Sequence, residues 1–203
     1  MKNRTDIITH IVEKYGAKTY LEIGVRNGKE NFNLIKVEDK DGVDPAPVTP
    51  VNYQMTSDEF FNNHAKDKIY DVIFVDGLHT GTQVYKDVMN AINYLNPNGF
   101  IILHDCNPPT EYHARSYDEY LKSRGEWNGD VFKGFIKLKK ELVNWNCFVV
   151  DEDFGCGVIT KNGLNGVIHK LLDIPESIDW EYFNNNRVDL LSLVSYNNFI
   201  KII

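Results

Sequence analysis

The sequence predicts an α/β protein with a doubly wound, mostly parallel sheet and helices on both of its faces. A short apolar strand at 19–23 runs into a turn bracketed by Gly24 and Gly28. The continuous apolar run 71–76 begins and ends with an acid, and a second such run, 100–103, follows after a helical segment. Continuous apolar strands are typical of parallel sheets covered on both faces. Alternation of strand and helix implies right-handed crossovers.

The first half of the chain alternates between these two patterns. Helical spacing of apolar residues predicts a helix that begins at Thr5 and ends at Gly16, and a second helix-like run follows Gly28 with Phe32, Leu34 and Ile35. A weak second strand ends at Asp44 and enters the proline-rich loop 45–50, which fits neither a helix nor a central strand. Segment 51–55 is a candidate edge strand. Residues 56–58 are expected to cap a short helix.

The second half contains a strongly patterned helix between the two buried strands, and this helix ends at the turn 96–99. Beyond a loop, a short helix is expected at 117–122 and a longer one after 127–130, with the lysines of 133–140 on its solvated face. Strands at 147–150 and 157–160 predict an antiparallel hairpin at one edge of the sheet. Apolar residues at helical spacing from about Ile178 predict a helical tail packed on the body.

Length and composition limit the possible classes of protein. A chain of 203 residues is most simply one domain, with a core at about 15–160 and a C-terminal tail at 161–203. The net charge of −7 disfavours a nucleic acid as partner, because phosphate contacts require clustered Lys and Arg. We therefore expect a small-molecule partner, and a homo-oligomer is left open.

Three cysteines, Cys106, Cys147 and Cys156, lack the spacing of metal ligands and are expected to be free thiols in a reducing compartment. The N-terminal residues are not followed by an apolar signal segment, and no run of 18 apolar residues occurs. The expected location is the cytoplasm, without a membrane partner.

Polar residues and glycine stand where the predicted strands end. They are Glu22, Gly24, Asp44, Asp76, His104 and Asp105. Ligands of parallel sheets bind beyond the carboxyl ends of the strands, so we expect these residues to surround one cavity. An acid twenty residues after Gly24 is where a doubly wound fold hydrogen-bonds a ribose hydroxyl.

These residues together resemble a known family. The pattern Glu22-x-Gly24-x-x-x-Gly28, the acid Asp44, the run Asp76-Gly-x-His79 and the run Gly99-x-Ile-Ile-x-His-Asp105 are similar to class I S-adenosylmethionine-dependent methyltransferases. The likeness is greatest to small methyltransferases encoded beside glycan and natural-product biosynthesis genes. It implies a Rossmann-like, seven-stranded sheet and S-adenosylmethionine as the cofactor.

The resemblance also implies roles for residues. Glu22, Gly24 and Gly28 would shape the cofactor loop, Asp44 would hold the ribose, and Ser57 would lie near the adenine. Asp76 would face the cofactor or the acceptor. In catechol-type relatives a basic residue at the position of His79 accepts the hydroxyl proton, which makes His79, Asp105 and His104 the catalytic candidates.

A divalent metal, Mg²⁺ or Mn²⁺, is left open by the same resemblance, with Asp76 and Asp105 as its ligands. Relatives have an amide where this chain has Cys106, and a thiol is a poor ligand for a hard cation. Structural roles are also open: Asp44 as a loop acid, Asp76 as a helix cap, and His104 as a buried, hydrogen-bonded histidine.

The expected function is O-methylation of a small hydroxylated acceptor, such as a sugar or a glycosylated metabolite. One alternative is a cofactor-binding module that does not catalyse and that serves a biosynthetic enzyme. Another is a nicotinamide-dependent oxidoreductase, which needs a Gly-x-Gly-x-x-Gly loop for its pyrophosphate. Arg26 stands where that loop has its second glycine.

Overall fold

The computed structural model describes residues 2–164 and 174–203. Its strands are β1 (Thr19–Ile23), β2 (Asp39–Val43), β3 (Tyr70–Val75), β4 (Leu95–Leu103), β5 (Asn146–Val150), β6 (Cys156–Thr160) and β7 (Leu193–Val194). They form one sheet in the order β2-β1-β3-β4-β6-β5-β7. Strand β6 is antiparallel to both of its neighbours, and the other pairs are parallel. The predicted doubly wound, mostly parallel sheet is confirmed.

Helices cover both faces of this sheet. They are α1 (Arg4–Tyr15), α2 (Ser57–Asn63), α3 (Gly81–Ala91), α4 (Tyr117–Ser123), α5 (Val131–Glu141), α6 (Trp180–Leu191) and α7 (Tyr196–Ile202). Side chains of a strand point alternately to the two faces. In β3, Ile73 and Val75 therefore join the core under α2, α3, α5 and α6, whereas Val72 and Phe74 join the core under α1 and α7.

The predicted helix after Gly28 is wrong, because this segment consists of consecutive turns. Its backbone bonds join residues three or five apart, as in the bond from the Asn33 N–H to the Gly28 carbonyl (2.7 Å), and not four apart. Asn31 is buried and its side chain bonds to Glu22, so local packing holds the chain in turns. The turn after β1 therefore does not lead into the N-terminus of a helix.

Three smaller differences concern the sheet and the first helix. Segment 51–55 contributes one isolated bridge, between Val43 and Tyr53, and is not a strand. The β5–β6 hairpin is confirmed, but the outermost strand is the unpredicted two-residue β7. Helix α1 is capped by Asn3, one turn ahead of its first buried residue, and not by Thr5.

Lys139 differs from the predicted solvated lysines of α5. It is 5% exposed, and its ammonium group donates to the carbonyls of Asp189 and Leu190 and to the Ser192 hydroxyl. These acceptors lie at the C-terminal end of α6, where a cation is favoured by the helix dipole. Lys139 thus fastens the tail to the body.

The described part of the tail packs on both faces. Phe183 of α6 contacts Phe132 with ring centroids 4.1 Å apart, and Phe199 of α7 is fully buried. The last residues of the chain therefore form a helix that packs on the body. The prediction for the start of the tail falls partly on 165–173, outside the described residues.

All three cysteines are buried and unpaired, as the sequence predicted. Among the described helices, none has the length and apolarity needed to cross a lipid bilayer.

Candidate active site

A cavity of about 940 Å³ opens beyond the carboxyl ends of β1, β2, β3 and β4. The strand order reverses here, with β1 lying between β2 and β3, and this is where ligands of doubly wound sheets bind. Most of the residues singled out in the sequence line its wall: Glu22, Gly24, Asp44, Ser57, Asp76, His79, His104 and Asp105. The one exception is Gly28.

Gly24 shows why the turn after β1 needs a glycine. Its φ is +90°, and a Cβ atom at this position would lie 2.1 Å from the backbone oxygen of Asp76. A side chain at this position would push the ends of β1 and β3 apart, and these two ends form part of the cavity wall. Gly28 lies away from the wall, where its N–H donates to the Thr49 hydroxyl (2.7 Å), so it supports the loop instead of facing the cavity.

Asp44 is fixed by backbone donors. Its Oδ2 accepts the Arg26 N–H (2.8 Å) and its Oδ1 accepts the Ala46 N–H (2.7 Å). Because a carboxylate oxygen can accept more than one hydrogen bond, both oxygens can still receive hydroxyl donors from the cavity. Arg26 has a φ of +40°, a conformation that favours glycine, and the bond from its N–H to Asp44 holds it there.

Glu22 sits in a neutral network under the same half of the cavity. Its Oε2 accepts the Tyr20 hydroxyl (2.5 Å) and the Asn31 side-chain amide (2.8 Å). Burial raises the pKa of Glu22 to about 8. We call Glu22, Gly24, Asp44 and Ser57 the cofactor half.

On the other side of the cavity, acids and bases from distant segments meet. We call Arg4, Asp76, His79, His104, Asp105 and Asp153 the charged cluster. His104 is 5% exposed, with its Nδ1 at 3.1 Å from Asp105 Oδ1 and 3.3 Å from Asp76 Oδ1. Burial lowers the pKa of His104, but the two carboxylates outweigh it and hold the pKa well above its usual value.

Two partners orient His79 at Nδ1, and Asp76 Oδ1 lies 3.4 Å from its Nε2. Its Nδ1 lies 2.9 Å from the Trp127 carbonyl and 2.9 Å from Asp105 Oδ2. Since a carbonyl can only accept, Nδ1 carries a proton, and Nε2 is the nitrogen that can take up another one. Burial lowers the pKa of His79, but Asp105 and Asp76 outweigh it and raise the pKa to about 10. His79 can serve as a general base once its Nε2 is deprotonated.

Asp105 follows the end of β4 and forms a dyad with His79. Its φ of +63° lies in the left-handed region that Asp tolerates, and this turns the side chain back to the cavity. Asn128 donates its side-chain amide to Asp105 Oδ1. Burial raises the pKa of Asp105, but His104 and His79 outweigh it and lower the pKa to about 2, so the carboxylate is ionised.

Comparison with known proteins agrees with this geometry. Residues 21–106 match the model of a methyltransferase domain family. This segment is therefore similar to a methyltransferase domain over fewer than half of the residues of the chain. Among curated proteins, none matches it significantly.

Solved structures of methyltransferases resemble this chain in fold. A candidate caffeoyl-CoA O-methyltransferase from Staphylococcus aureus is 15% identical, with 80% of this chain and 85% of that chain covered and a TM-score of 0.54. An O-methyltransferase from Bacillus cereus in complex with S-adenosylhomocysteine is 14% identical, with coverage of 78% and 80% and a TM-score of 0.52. The methyltransferase PaMTH1 of Podospora anserina, also bound to S-adenosylhomocysteine, is 15% identical, with 79% of each chain covered and a TM-score of 0.55.

The residues of the cofactor half fit S-adenosylmethionine. The cavity has the volume of sites that bury drug-sized ligands. Gly24 leaves the backbone open to the ligand, and Asp44 presents oxygens that can still accept hydroxyl donors. Ser57 lies at the start of α2, where its hydroxyl accepts the Gln83 amide (3.3 Å), and both residues line the cavity.

A divalent metal fits the charged cluster poorly. One ligand atom each of Asp76, His79 and Asp105 lies within 4.8 Å of the others, which is a suitable spacing. However, Asp76 Oδ2 is bonded to Arg4 and Asp76 Oδ1 lies beside both histidines. Both oxygens of Asp105 are bonded as well, to His79 on one side and to His104 and Asn128 on the other. A metal would have to displace one of these donors.

The expected amide ligand is also missing from its usual place. Cys106 is fully buried, and its Sγ lies against the carbonyls of Leu103 and His104, away from the cavity. The amide beside Asp105 comes instead from Asn128, 23 residues further along.

Residues 110–128 form a roof over the charged cluster. The indole of Trp127 lies between the rings of Tyr120 and His79, at centroid distances of 4.5 Å and 5.3 Å and nearly parallel to both. The guanidinium of Arg115 bonds to the carbonyls of Tyr112, Arg124 and Glu126, and the Trp127 indole N–H donates to the Arg115 carbonyl (2.7 Å). The roof is thus held in one shape by backbone acceptors.

Sequence reasoning missed three parts of this site: Arg4, Asn128 and Asp153. Arg4 begins α1, and Asp153 lies in the loop between β5 and β6. Neither residue belongs to the sequence patterns at the ends of β1 to β4. Asn128 belongs to the segment 127–130, for which the sequence predicted a helix start but no role for the Asn128 amide. No periodicity or spacing identified them, since their roles depend on contacts across the fold.

Proposed function

We propose that this protein transfers the methyl group of S-adenosylmethionine to a hydroxyl of a small acceptor, with His79 as the base. The observation that supports it most is the Asp105–His79–Trp127 contact, which leaves His79 Nε2 as the proton acceptor inside the same cavity as Asp44 and Gly24. When bound, the cofactor supplies an electrophilic methyl group on a sulfonium ion.

The residues of this chain would supply the remaining requirements. The cofactor half would hold the ribose at Asp44 and the methionine end near Glu22. The dyad would remove the hydroxyl proton, which is worth about 10²–10⁴-fold in rate. The roof would exclude water, which strengthens the interactions inside the cavity.

We propose a sugar or a glycosylated metabolite as the acceptor. The rings of Tyr117 and Tyr120, both next to Trp127, contribute an aromatic surface to the cavity wall. The negative faces of such rings attract the C–H groups of a flat, hydroxylated ligand. The net charge of −7 favours a small molecule over a nucleic acid.

Several further expectations remain part of this proposal. They are a single domain over 1–203, a cytoplasmic location, the absence of nucleic-acid and membrane partners, and an open oligomeric state. The divalent metal at Asp76 and Asp105, with Mg²⁺ or Mn²⁺ as candidates, stays a prediction of the resemblance that the occupied carboxylate oxygens disfavour.

Calorimetric titration tests the cofactor, and an acceptor screen tests the reaction. We expect saturable binding of S-adenosylhomocysteine and none of NAD. We then expect turnover of S-adenosylmethionine with at least one member of a panel of methyl glycosides, glycosylated aglycones and catechols. Tight NAD binding would favour the oxidoreductase, and cofactor binding without turnover across the panel would favour the non-catalytic module.

A further inference from the structure

Arg4 reaches from the start of α1 into the charged cluster. Its Nη1 lies 2.9 Å from Asp76 Oδ2 and 3.1 Å from His104 Nδ1, and its Nε lies 3.2 Å from Asp153 Oδ2. The Arg4 guanidinium also lines the cavity. A guanidinium is always charged and its planar fork suits carboxylates, so it is a permanent cation at this position.

The position of Arg4 is fixed by its own helix. Asn3 and Asp6 form a capping box around the start of α1, and the Arg4 backbone N–H donates to Asp153 Oδ2 (2.9 Å). The side chain and the backbone of Arg4 therefore hold the same carboxylate. A group held twice on a helix start loses little further freedom when it binds Asp76.

The carboxylates of the cluster already have basic neighbours. Arg4 pairs with Asp76 and Asp153, and the rings of His79 and His104 lie against Asp105. A dication placed at Asp76 would add charge beside a guanidinium that cannot lose its own. Repulsion between like charges at such distances is strong in a partly buried site.

We propose that Arg4 takes the cation position at the strand-end carboxylates, so that this protein works without a divalent metal. The inference rests on the proposed function and specifies how its acceptor side is built. Arg4 holds Asp76 and faces the cavity, where its Nη2 makes no hydrogen bond to the described residues. Nη2 is thus the donor available to an acceptor oxygen.

The test measures Mn²⁺ binding by electron paramagnetic resonance on chelator-treated protein, with S-adenosylhomocysteine binding measured in parallel. We expect no saturable Mn²⁺ binding by the wild-type protein below about 1 mM. Arg4→Gln exposes Asp76 and is expected to bind Mn²⁺ about tenfold more tightly than the wild type, and Asp76→Asn in that background should abolish the gain.

Two matched variants control for charge and for folding. Arg4→Lys keeps the cation and should bind Mn²⁺ as weakly as the wild type. Lys2→Gln removes a cation from the same end of α1, where it pairs with the exposed Asp6, and should change nothing. If Arg4→Gln fails to fold, the wild-type titration and Arg4→Lys still decide the matter.

Tight Mn²⁺ binding by the wild type that Asp76→Asn removes would overturn the inference, as would a folded Arg4→Gln variant without any gain. Binding of S-adenosylhomocysteine shows whether the role of Arg4 or the proposed function has failed. If it is retained while Mn²⁺ binds the wild type, only the role of Arg4 fails. If it is absent, the proposed function fails first.

Discussion

In the cofactor half, each polar group is held by backbone N–H groups and neutral side chains, whereas in the charged cluster carboxylates are held by cations. Asp44 accepts two backbone N–H groups from residues within 18 positions of it. Asp76 bonds to Arg4 across 72 positions, and Arg4 bonds to Asp153 across 149. The contacts of Asp44 depend on the loop that directly follows β2 and on the turn after β1. The contacts of Arg4 with Asp76 and Asp153 form only when the whole domain is folded.

This contrast has a chemical consequence. The polar groups of the cofactor half are held by uncharged donors, so their positions do not depend on a neighbouring cation. In the charged cluster, Asp105 and Asp76 raise the pKa of His79. Substitutions in the charged cluster should therefore affect the rate, and substitutions in the cofactor half should affect the affinity for the cofactor. The predictions below are arranged from the largest expected effect to the smallest.

His79→Ala should separate the two halves most clearly. Removing the base is expected to lower kcat by about 10²–10⁴-fold, while the dissociation constant for S-adenosylhomocysteine changes by less than about threefold. Steady-state kinetics and calorimetry measure the two quantities. His64→Ala, an exposed histidine at the end of α2, is the matched control and should leave both unchanged. A kcat that stays at the wild-type level in His79→Ala would remove His79 as the base.

Gly24→Ala tests how tightly the two halves are joined. The new Cβ would meet the Asp76 backbone at 2.1 Å, so we expect the free energy of unfolding to fall by about 3 kcal/mol or more. Gly16→Ala is the matched control, because its φ is also positive (+63°) but no atom lies within 4 Å. Its expected cost is about 1 kcal/mol, from backbone conformation alone. Denaturant melts of equal cost in the two variants would contradict the close approach of β1 and β3.

Asp44→Ala should act on affinity. Loss of the carboxylate removes acceptors for hydroxyls and releases the N–H groups of Arg26 and Ala46, so binding of S-adenosylhomocysteine should weaken by about 10–100-fold. At saturating cofactor, kcat should stay near the wild-type value. Asp39→Ala, an exposed acid at the start of β2, should bind normally. Unchanged affinity in Asp44→Ala would reassign Asp44 as a structural loop acid.

Asp105→Asn is expected to shift the pH profile. His79 acts as a base only after losing the Nε2 proton, and its pKa of about 10 means that kcat/KM should rise with pH through the neutral range. The Asp105 carboxylate helps to raise that pKa, so its removal lowers the pKa and moves the rising limb toward lower pH by about one unit. The height of the profile should fall as His79 loses its orientation. A profile that moves to higher pH would contradict the contact between Asp105 and His79.

Much of the fold could be predicted from sequence because its strands carry local patterns. The buried runs that became β3 and the end of β4, and the spacing of α3 and α5, are strong signals of period and continuity. The turn segment after Gly28 was misassigned because Phe32 and Ile35 have helical spacing, while the buried Asn31 bonds to Glu22 and holds the chain otherwise. Lys139 was likewise assigned to a solvated face because its acceptors lie on α6, far away in the chain.

The sequence by itself determined the order of the strand ends and so the cofactor half, because Gly24 and Asp44 directly follow the strands β1 and β2. It also placed Asp76, His104 and Asp105 at strand ends, but only the tertiary structure decided how the charged cluster is paired. Arg4, Asn128 and Asp153 come from a helix start and two loops, and their chemistry arises from burial and from neighbours distant in the chain. The electrostatic environment of a group depends on all charges close to it. Arg4 and Asp153 are 149 positions apart in the chain, and tertiary packing, not local sequence, brings them together.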